Sequence, residues 1–229
     1  NGAVYRLTLN GRDLAGNLSG VVYHNMNYDI ENPELNITYP LQNPAINNTD
    51  IGYEISEQLG SATIKYTWLS GVEDGNSPHV INIDQRSLPE GVTERYPLNP
   101  APFLVDGGVY KIELEGIDRA GNKSNISIRE SILYDITKPT IAMSVPIPDI
   151  VNIGKEISYS ISEDLFESEI IWTRVDGNID KNSPHTINLS DEEKKKGDYE
   201  LVILDNITDL LSSTTYNVSI KGIDPAGNE

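Results

Sequence analysis

The phrase Asp-x-Ala-Gly-Asn occurs three times in this sequence, and its side chains can do chemistry. The copies begin at Asp13, Asp118 and Asp224, so they lie 105 and 106 residues apart. Carboxylate and amide oxygens are hard ligands of the kind that Ca²⁺ prefers. The same residues also build turns, because Asp accepts hydrogen bonds from backbone N–H groups and Gly-Asn adopts the positive φ angles of tight turns. The phrase therefore indicates either a cation site or a structural turn.

A second repeated motif, Gly-x-x-Asp-x-x-Ser-Pro-His, pairs Asp74 with His79 and Asp180 with His185. A carboxylate and an imidazole can hold a metal ion or a polar ligand. One His per motif, with no second His or Cys nearby, falls short of a transition-metal site. The pattern favours a wide turn in which Pro directs the chain back and Asp bonds the amides of the loop.

Composition excludes several classes of function. The chain has 35 acidic and 17 basic residues and a net charge of −18, which argues against nucleic acid or an anionic membrane surface as a partner, because both need a cationic face. We also expect no direct membrane insertion, because the sequence contains no membrane span. There is no cysteine, so disulfides and thiolate metal sites are excluded. The sequence has no nucleophile elbow, phosphate loop or zinc-protease helix, and we predict that the protein is not an enzyme.

The three phrases belong to a longer internal repeat. Ser56-Glu57 recurs 106 positions later as Ser162-Glu163, and Tyr28-Asp29-Ile30 recurs as Tyr134-Asp135-Ile136 at the same offset. A repeat of this length is typical of one small β-domain. The expected domains are the closing strands of a preceding, truncated repeat in 1–32, a complete repeat in 33–138, and a repeat lacking its last strand in 139–229.

Apolar residues alternate with polar ones through both repeats, which places one face of each strand in a core. No segment has a sustained helical period, and Gly, Pro, Asn and Asp separate the runs. The sequence therefore predicts an all-β fold built as an antiparallel sandwich. The alternating runs are Ile51-x-Tyr53-x-Ile55, Ile64-x-Tyr66-x-Trp68, Ile81-x-Ile83, Tyr110-x-Ile112-x-Leu114 and Ile126-x-Ile128, with matching runs at 157–161, 170–172, 187–189 and 216–220.

An aromatic residue lies in the third strand of each repeat, and Leu104 precedes Tyr110 by six residues, as Leu210 precedes Tyr216. A leucine, a turn and a tyrosine in this order predict a tyrosine corner. The segment 104–122 resembles the closing strands of bacterial immunoglobulin-like and fibronectin type III-like tandem repeats. That resemblance implies tandem Greek-key β-sandwiches of about 106 residues, outside the cell or on its surface, and it implies no activity. The strand order of 71–103 stays open, because this region exceeds a minimal fibronectin module.

The repeated acidic residues are expected to converge on this fold. In an immunoglobulin-type sandwich the loops after the second and sixth strands lie at the pole where the chain enters the module. Because a lone Asp-x-Ala-Gly-Asn lacks the dense Asp spacing of a dedicated calcium loop, the sequence favours a turn device without an ion. The alternative is a Ca²⁺ site at each module junction that stiffens the linker. The expected ligands are Asp29, Glu57, Asp118 and Asn122 in one module and Asp135, Glu163, Asp224 and Asn228 in the next.

These features favour non-enzymatic stalk or spacer modules of a large bacterial cell-surface or secreted repeat protein, such as an adhesin or filament. One alternative is a ligand- or glycan-binding adhesin module, for which the asymmetric pair of Trp68 and Arg174 is a candidate signal. Another is an accessory β-sandwich domain of a secreted hydrolase. The expected partners are neighbouring modules of the same chain. Self-association is a further prediction, in which the hairpin of 1–32 completes the open module of another chain by strand complementation.

Overall fold

The structure is a computed structural model, and it describes residues 3–41, 44–83, 86, 88–147, 156–203 and 210–229. By its internal contacts the chain divides into two compact units, and each is described here by itself. The first unit comprises Asn1–Asn43 with Thr49–Ile132, and the second comprises Pro44–Asn48 with Leu133–Glu229. The repeat boundaries at 32 and 138 stay a prediction from the internal repeat.

The described residues form β-strands joined by turns and loops. No helix among them is long and apolar enough to span a membrane. The strands are β1 (Ala3–Arg12), β2 (Leu18–Tyr28), β3 (Leu35–Tyr39), β4 (Ala45–Ile46), β5 (Ile51–Ile55), β6 (Leu59–Gly71), β7 (His79–Ile83), β8 (Gly91–Tyr96), β9 (Gly108–Asp118), β10 (Ser127–Tyr134), β11 (Ile141–Val145), β12 (Glu156–Ile161), β13 (Glu167–Gly177), β14 (His185–Asn188), β15 (Gly197–Ile203) and β16 (Thr214–Ile223).

The first unit contains a β-sandwich, as the alternation predicts. One sheet has the order β10-β9-β6-β7 and the other has the order β3-β5-β8. The strand order that the sequence left open in 71–103 is therefore given by β7, which pairs with β6, and β8, which pairs with β5. The short strand β4 pairs in parallel with the last two residues of β10, and these pairing residues are grouped with the second unit. Every second residue of β9 from Tyr110 to Leu114 is fully buried, and so is Tyr66 on β6. The interior is therefore the apolar face of period two.

The second unit repeats this arrangement with the sheets β14-β13-β16 and β11-β12-β15. Its core contains Ile157, Tyr159 and Ile161 of β12 and Ile170 and Trp172 of β13. The aromatic residue predicted for the third strand is thus buried in both repeats, as Tyr66 and as Trp172.

The hairpin of β1 and β2 has a different environment from the sandwiches. Every residue of both strands is exposed, although Tyr5, Leu7 and Leu9 alternate as core residues do. Pairing between the two strands is antiparallel, with a bulge between Tyr5 and Leu7. The apolar face of this hairpin is therefore not covered by the described part of the chain.

The predicted alternation is wrong in β10. Ile126 and Ile128 are 51% and 42% exposed, whereas Ser127 between them is only 7% exposed. The Ser127 hydroxyl lies inside because it accepts the backbone N–H of Ile37, a hydrogen bond that an isoleucine could not make. Ser131 then takes a positive φ of 58°, and beyond it Ile132 lies inside with 1% exposure.

Candidate functional site

The Asp-x-Ala-Gly-Asn loop is closed by its own first and last residues. Oδ1 of Asp118 accepts the backbone N–H groups of Ala120, Gly121 and Asn122 at 2.6–2.9 Å, and Oδ2 accepts the Asn122 side-chain amide at 2.8 Å. The Asp118 N–H donates in return to the Asn122 carbonyl. Burial alone would raise the pKa of Asp118, but these hydrogen bonds outweigh it and lower the pKa below the ordinary value.

All three copies of the phrase form this loop. The carboxylates of Asp13 and Asp224 accept the same backbone N–H and side-chain amide bonds from Asn17 and Asn228. The Asn17 side chain lowers the pKa of Asp13 even though that copy lies on the exposed hairpin. The loop therefore folds through local bonds, which is the turn role predicted for its residues.

The asparagine of each loop also holds the segment that leads into the sandwich. The Asn122 side-chain amide donates to the Asp29 carbonyl at 3.3 Å, and the Asn228 amide donates to the Asp135 carbonyl at 2.9 Å. The carboxylates of Asp29 and Asp135 each accept the N–H two residues on. The predicted ligands Asn122 and Asn228 thus lie beside the acidic residues and donate to them and to the linker.

The structure brings three expected carboxylates together within each unit. One carboxylate oxygen each from Asp29, Glu57 and Asp118 lies within 4.8 Å of the other two. The corresponding oxygens of Asp135, Glu163 and Asp224 are equally close in the second unit. The three members of a cluster come from the linker, the loop after the second strand and the repeated phrase. We call these the first and second carboxylate clusters.

The carboxylate of Glu57 is repelled by the neighbouring negative charges of Asp29 and Asp118. Its pKa is raised, first by burial and then by the negative charges of Asp29 and Asp118, with smaller effects from Glu31 and Glu90. Like charges this close stabilise either a bound proton or a bound cation. The cluster side chains offer only oxygen, so the arrangement suits a hard cation such as Ca²⁺ better than a transition metal.

The second repeated motif forms a buried network instead of an open site. The Asp74 carboxylate lies 2.6 Å from Nε2 of His79 and accepts the Tyr110 hydroxyl at 2.8 Å. That hydroxyl accepts the N–H of Val105, which confirms the predicted tyrosine corner. Asp74 also accepts the Asn76 N–H, as the wide-turn interpretation predicts.

The second unit has the same network, with Asp180, His185 and Tyr216 in place of those residues. The His185 hydrogen bond, followed by that of Tyr216, lowers the pKa of Asp180 to about 2. The link between the motif and the tyrosine corner was not predicted from the sequence. The sequence does contain a pattern that points to this link. In both repeats the Asp precedes the His by 5 residues and the Tyr by 36 residues.

The side chains of Trp68 and Arg174, at equivalent positions of the two repeats, make equivalent hydrogen bonds to the backbone. Nε1 of Trp68 donates to the Val72 carbonyl at 2.9 Å. Nε of Arg174 donates to the Asn178 carbonyl, also four residues ahead, at 2.7 Å. The asymmetry between the repeats is therefore a substitution of one donor for another across the same turn.

The FN1–FN3 domains of chicken CNTN1 are similar in structure, with 9% sequence identity, a TM-score of 0.39, and coverage of 97% of this chain and 73% of that one. Neither the family models nor the curated proteins match this sequence.

Proposed function

We propose that this chain is a non-enzymatic stalk or spacer segment of a bacterial cell-surface or secreted repeat protein. The support comes from what the repeated polar residues do. Asp118 and Asn122 close a loop and hold a linker, and Asp74 and His79 brace a tyrosine corner. Residues retained in both repeats thus serve the geometry of the module, as expected for a building unit.

The proposal includes Ca²⁺ at the two carboxylate clusters. The observation that carries it is the recurrence of three carboxylates from three separate segments, within 4.8 Å of one another, in both units. The exposed copy of the loop at Asp13 shows that the turn forms without such neighbours among the described residues. Closure of the turn at Asp118 therefore does not itself require Glu57 or Asp29 beside it.

Calcium would act on the linker through this arrangement. The ion would neutralise the repulsion around Glu57 and would join Asp29 of the linker to both loops of the sandwich. The hydrogen bond from Asn122 to the linker would then be reinforced by ionic bonds. In this proposal the ion restricts linker motion and stabilises the module that it binds.

The test is a calcium titration of the chain after treatment with EDTA. We expect binding heat in calorimetry, a higher melting temperature, and slower hydrogen exchange of the linker amides of Glu31 and Thr137. Mg²⁺ at the same concentration is the control, and it should have a weaker effect because it demands a smaller octahedral site. No change in melting temperature or exchange at millimolar Ca²⁺ would refute the calcium site.

The alternatives predicted from the sequence, a glycan-binding adhesin module and an accessory hydrolase domain, gain no support from the pair of Trp68 and Arg174. Both side chains bond the turn that follows their own strand. This equivalence favours the spacer function over a binding function at that position.

A further inference from the structure

Strand β3, the first strand of the repeat predicted at 33–138, lies at an edge of the sheet β3-β5-β8. Pairing with β5 satisfies one side of β3. The backbone groups on its other side also need partners, because Leu35 and Ile37 are buried. Side chains from β10, the last strand of the repeat and a member of the other sheet, supply these partners.

Two of these side chains bond β3 at alternate positions. Asn125, just before β10, accepts the Leu35 N–H at 2.8 Å and donates to the Leu35 carbonyl at 2.9 Å. The Ser127 hydroxyl accepts the Ile37 N–H at 2.9 Å. Each partner on the β10 side lies 90 residues after its partner on β3, so the two segments run parallel.

Arg129 extends this contact in the same direction. Its guanidinium donates to the carbonyl of Ile37 and, at 3.2 Å, to that of Pro40 just beyond the end of β3. A charged donor makes a stronger hydrogen bond than a neutral one. Side chains at every second position of the segment 125–129 therefore bond β3 in place of a parallel strand.

Tension along the chain would load these bonds together. The chain enters the repeat at the start of β3 and leaves it after the end of β10, and these two points lie at opposite ends of the parallel pair. Pulling them apart slides one strand along the other, so every bond between the strands is strained at once. Strands that are peeled apart from one end lose the same bonds one after another.

We propose that Asn125, Ser127 and Arg129 form a clamp that holds the repeat closed under tension. This inference rests on the proposed stalk function, in which tension passes along the chain from one module to the next. It does not need calcium, because the bonds are made by residues outside the carboxylate clusters. The clamp acts on the lifetime of the folded repeat under load, which depends on the unfolding rate and not on equilibrium stability alone.

Single-molecule stretching of the full chain in EDTA tests the clamp. The sequence has no cysteine, so Asn32→Cys and Lys138→Cys give two unique points of attachment at exposed positions. The chain between them reaches at most about 350–380 Å when unfolded, which identifies the unfolding event. With Asn125→Ala the lifetime at constant force should fall about tenfold, because two hydrogen bonds of the folded state are broken in the transition state.

Tyr110→Phe with the same attachment points is the matched control. It removes hydrogen bonds of the tyrosine corner and should lower the free energy of unfolding. Its lifetime under load should nevertheless change by less than about twofold, because the corner is still formed when β3 and β10 separate. Arg129→Met keeps the aliphatic stem and should shorten the lifetime as Asn125→Ala does. An unchanged lifetime for Asn125→Ala or Arg129→Met, or an equal shortening by Tyr110→Phe, overturns the proposal.

The direction of pulling is a second test, made with the clamp residues unaltered. Attachment at Asn32→Cys and Lys123→Cys pulls on the starts of both strands, which lie at the same end of the parallel pair, so the bonds break one at a time. The lifetime at the same force should be shorter by at least about tenfold than with attachment at Lys138→Cys. Equal lifetimes in the two directions overturn the clamp and leave the calcium site standing, whereas a calcium titration without effect refutes the calcium site and leaves the clamp standing.

Discussion

The substitution Glu57→Gln should have opposite effects on stability with and without calcium. Glu57 is half-buried, and its pKa is raised first by burial and then by Asp29 and Asp118. Without an ion, neutralising Glu57 removes repulsion and should stabilise the first unit. With Ca²⁺ bound, the same change removes a ligand and should weaken both binding and stability.

The size of the effect follows from the spacing of the carboxylates. Two like charges 4.8 Å apart repel by about 1 kcal/mol in a medium as polar as water and by about 3 kcal/mol at an effective dielectric constant of 20. Glu57 has two such neighbours but is partly in water, where salt also screens the charges. We expect a gain of about 1–2 kcal/mol in the free energy of unfolding in EDTA, and a calcium affinity lower by about tenfold.

Urea unfolding in EDTA and in saturating Ca²⁺ measures both effects. The control is Glu54→Gln, the same change on the exposed face of β5, which should shift stability by less than about 0.5 kcal/mol in either condition. A loss of stability for Glu57→Gln in EDTA would contradict the repulsion argument. An unchanged calcium affinity would contradict the assignment of Glu57 as a ligand.

Three further predictions follow from the same geometry. Tyr110→Phe should lower the free energy of unfolding by about 1–3 kcal/mol, because a buried carboxylate and a backbone N–H lose their shared partner; urea unfolding checks this, and a loss under 0.5 kcal/mol contradicts it. The bond from His185 lowers the pKa of Asp180 to about 2 from 3.8, so its stabilisation should be complete above about pH 4 and lost as pH falls towards 2; the urea midpoint of Asp180→Asn should depend less on pH in this range. Calorimetry should resolve two calcium affinities, with the tighter at the first cluster, because Glu31 and Glu90 add negative charge there and their counterparts 106 positions later are a threonine and a lysine; a single class of sites contradicts this.

The all-β sandwich was predictable because alternation with period two survives in nearly every core strand. Tyr110, Ile112 and Leu114 are buried as the pattern requires. The inward residues of β10 were predicted wrongly because the first of them, Ser127, is polar and the buried face shifts by one residue after Ser131, where Ile132 is buried. Ser127 lies inside because its hydroxyl accepts the backbone N–H of Ile37 on β3. The two residues are 90 positions apart, so the sequence around Ser127 cannot reveal this hydrogen bond.

The candidate site was predictable to the level of which residues meet. The repeat and the fold together placed Asp29, Glu57 and Asp118 at one pole, and they lie within 4.8 Å of one another in the structure. The direction of each hydrogen bond was not predictable. Asn122 was expected as an oxygen ligand, but its amide nitrogen donates to the neighbouring carboxylate and to the linker, a choice that depends on side-chain orientation.

Trp68 and Arg174 show how far the two repeats can diverge while the turn beside them stays the same. An indole and a guanidinium share neither shape nor charge, yet each delivers one N–H to a carbonyl four residues ahead. Identity scores treat such a pair as a mismatch, so alignment by residue type understates the kinship of modules like these. A comparison that scores hydrogen-bond donors and acceptors at fixed offsets would count Trp68 and Arg174 as a match.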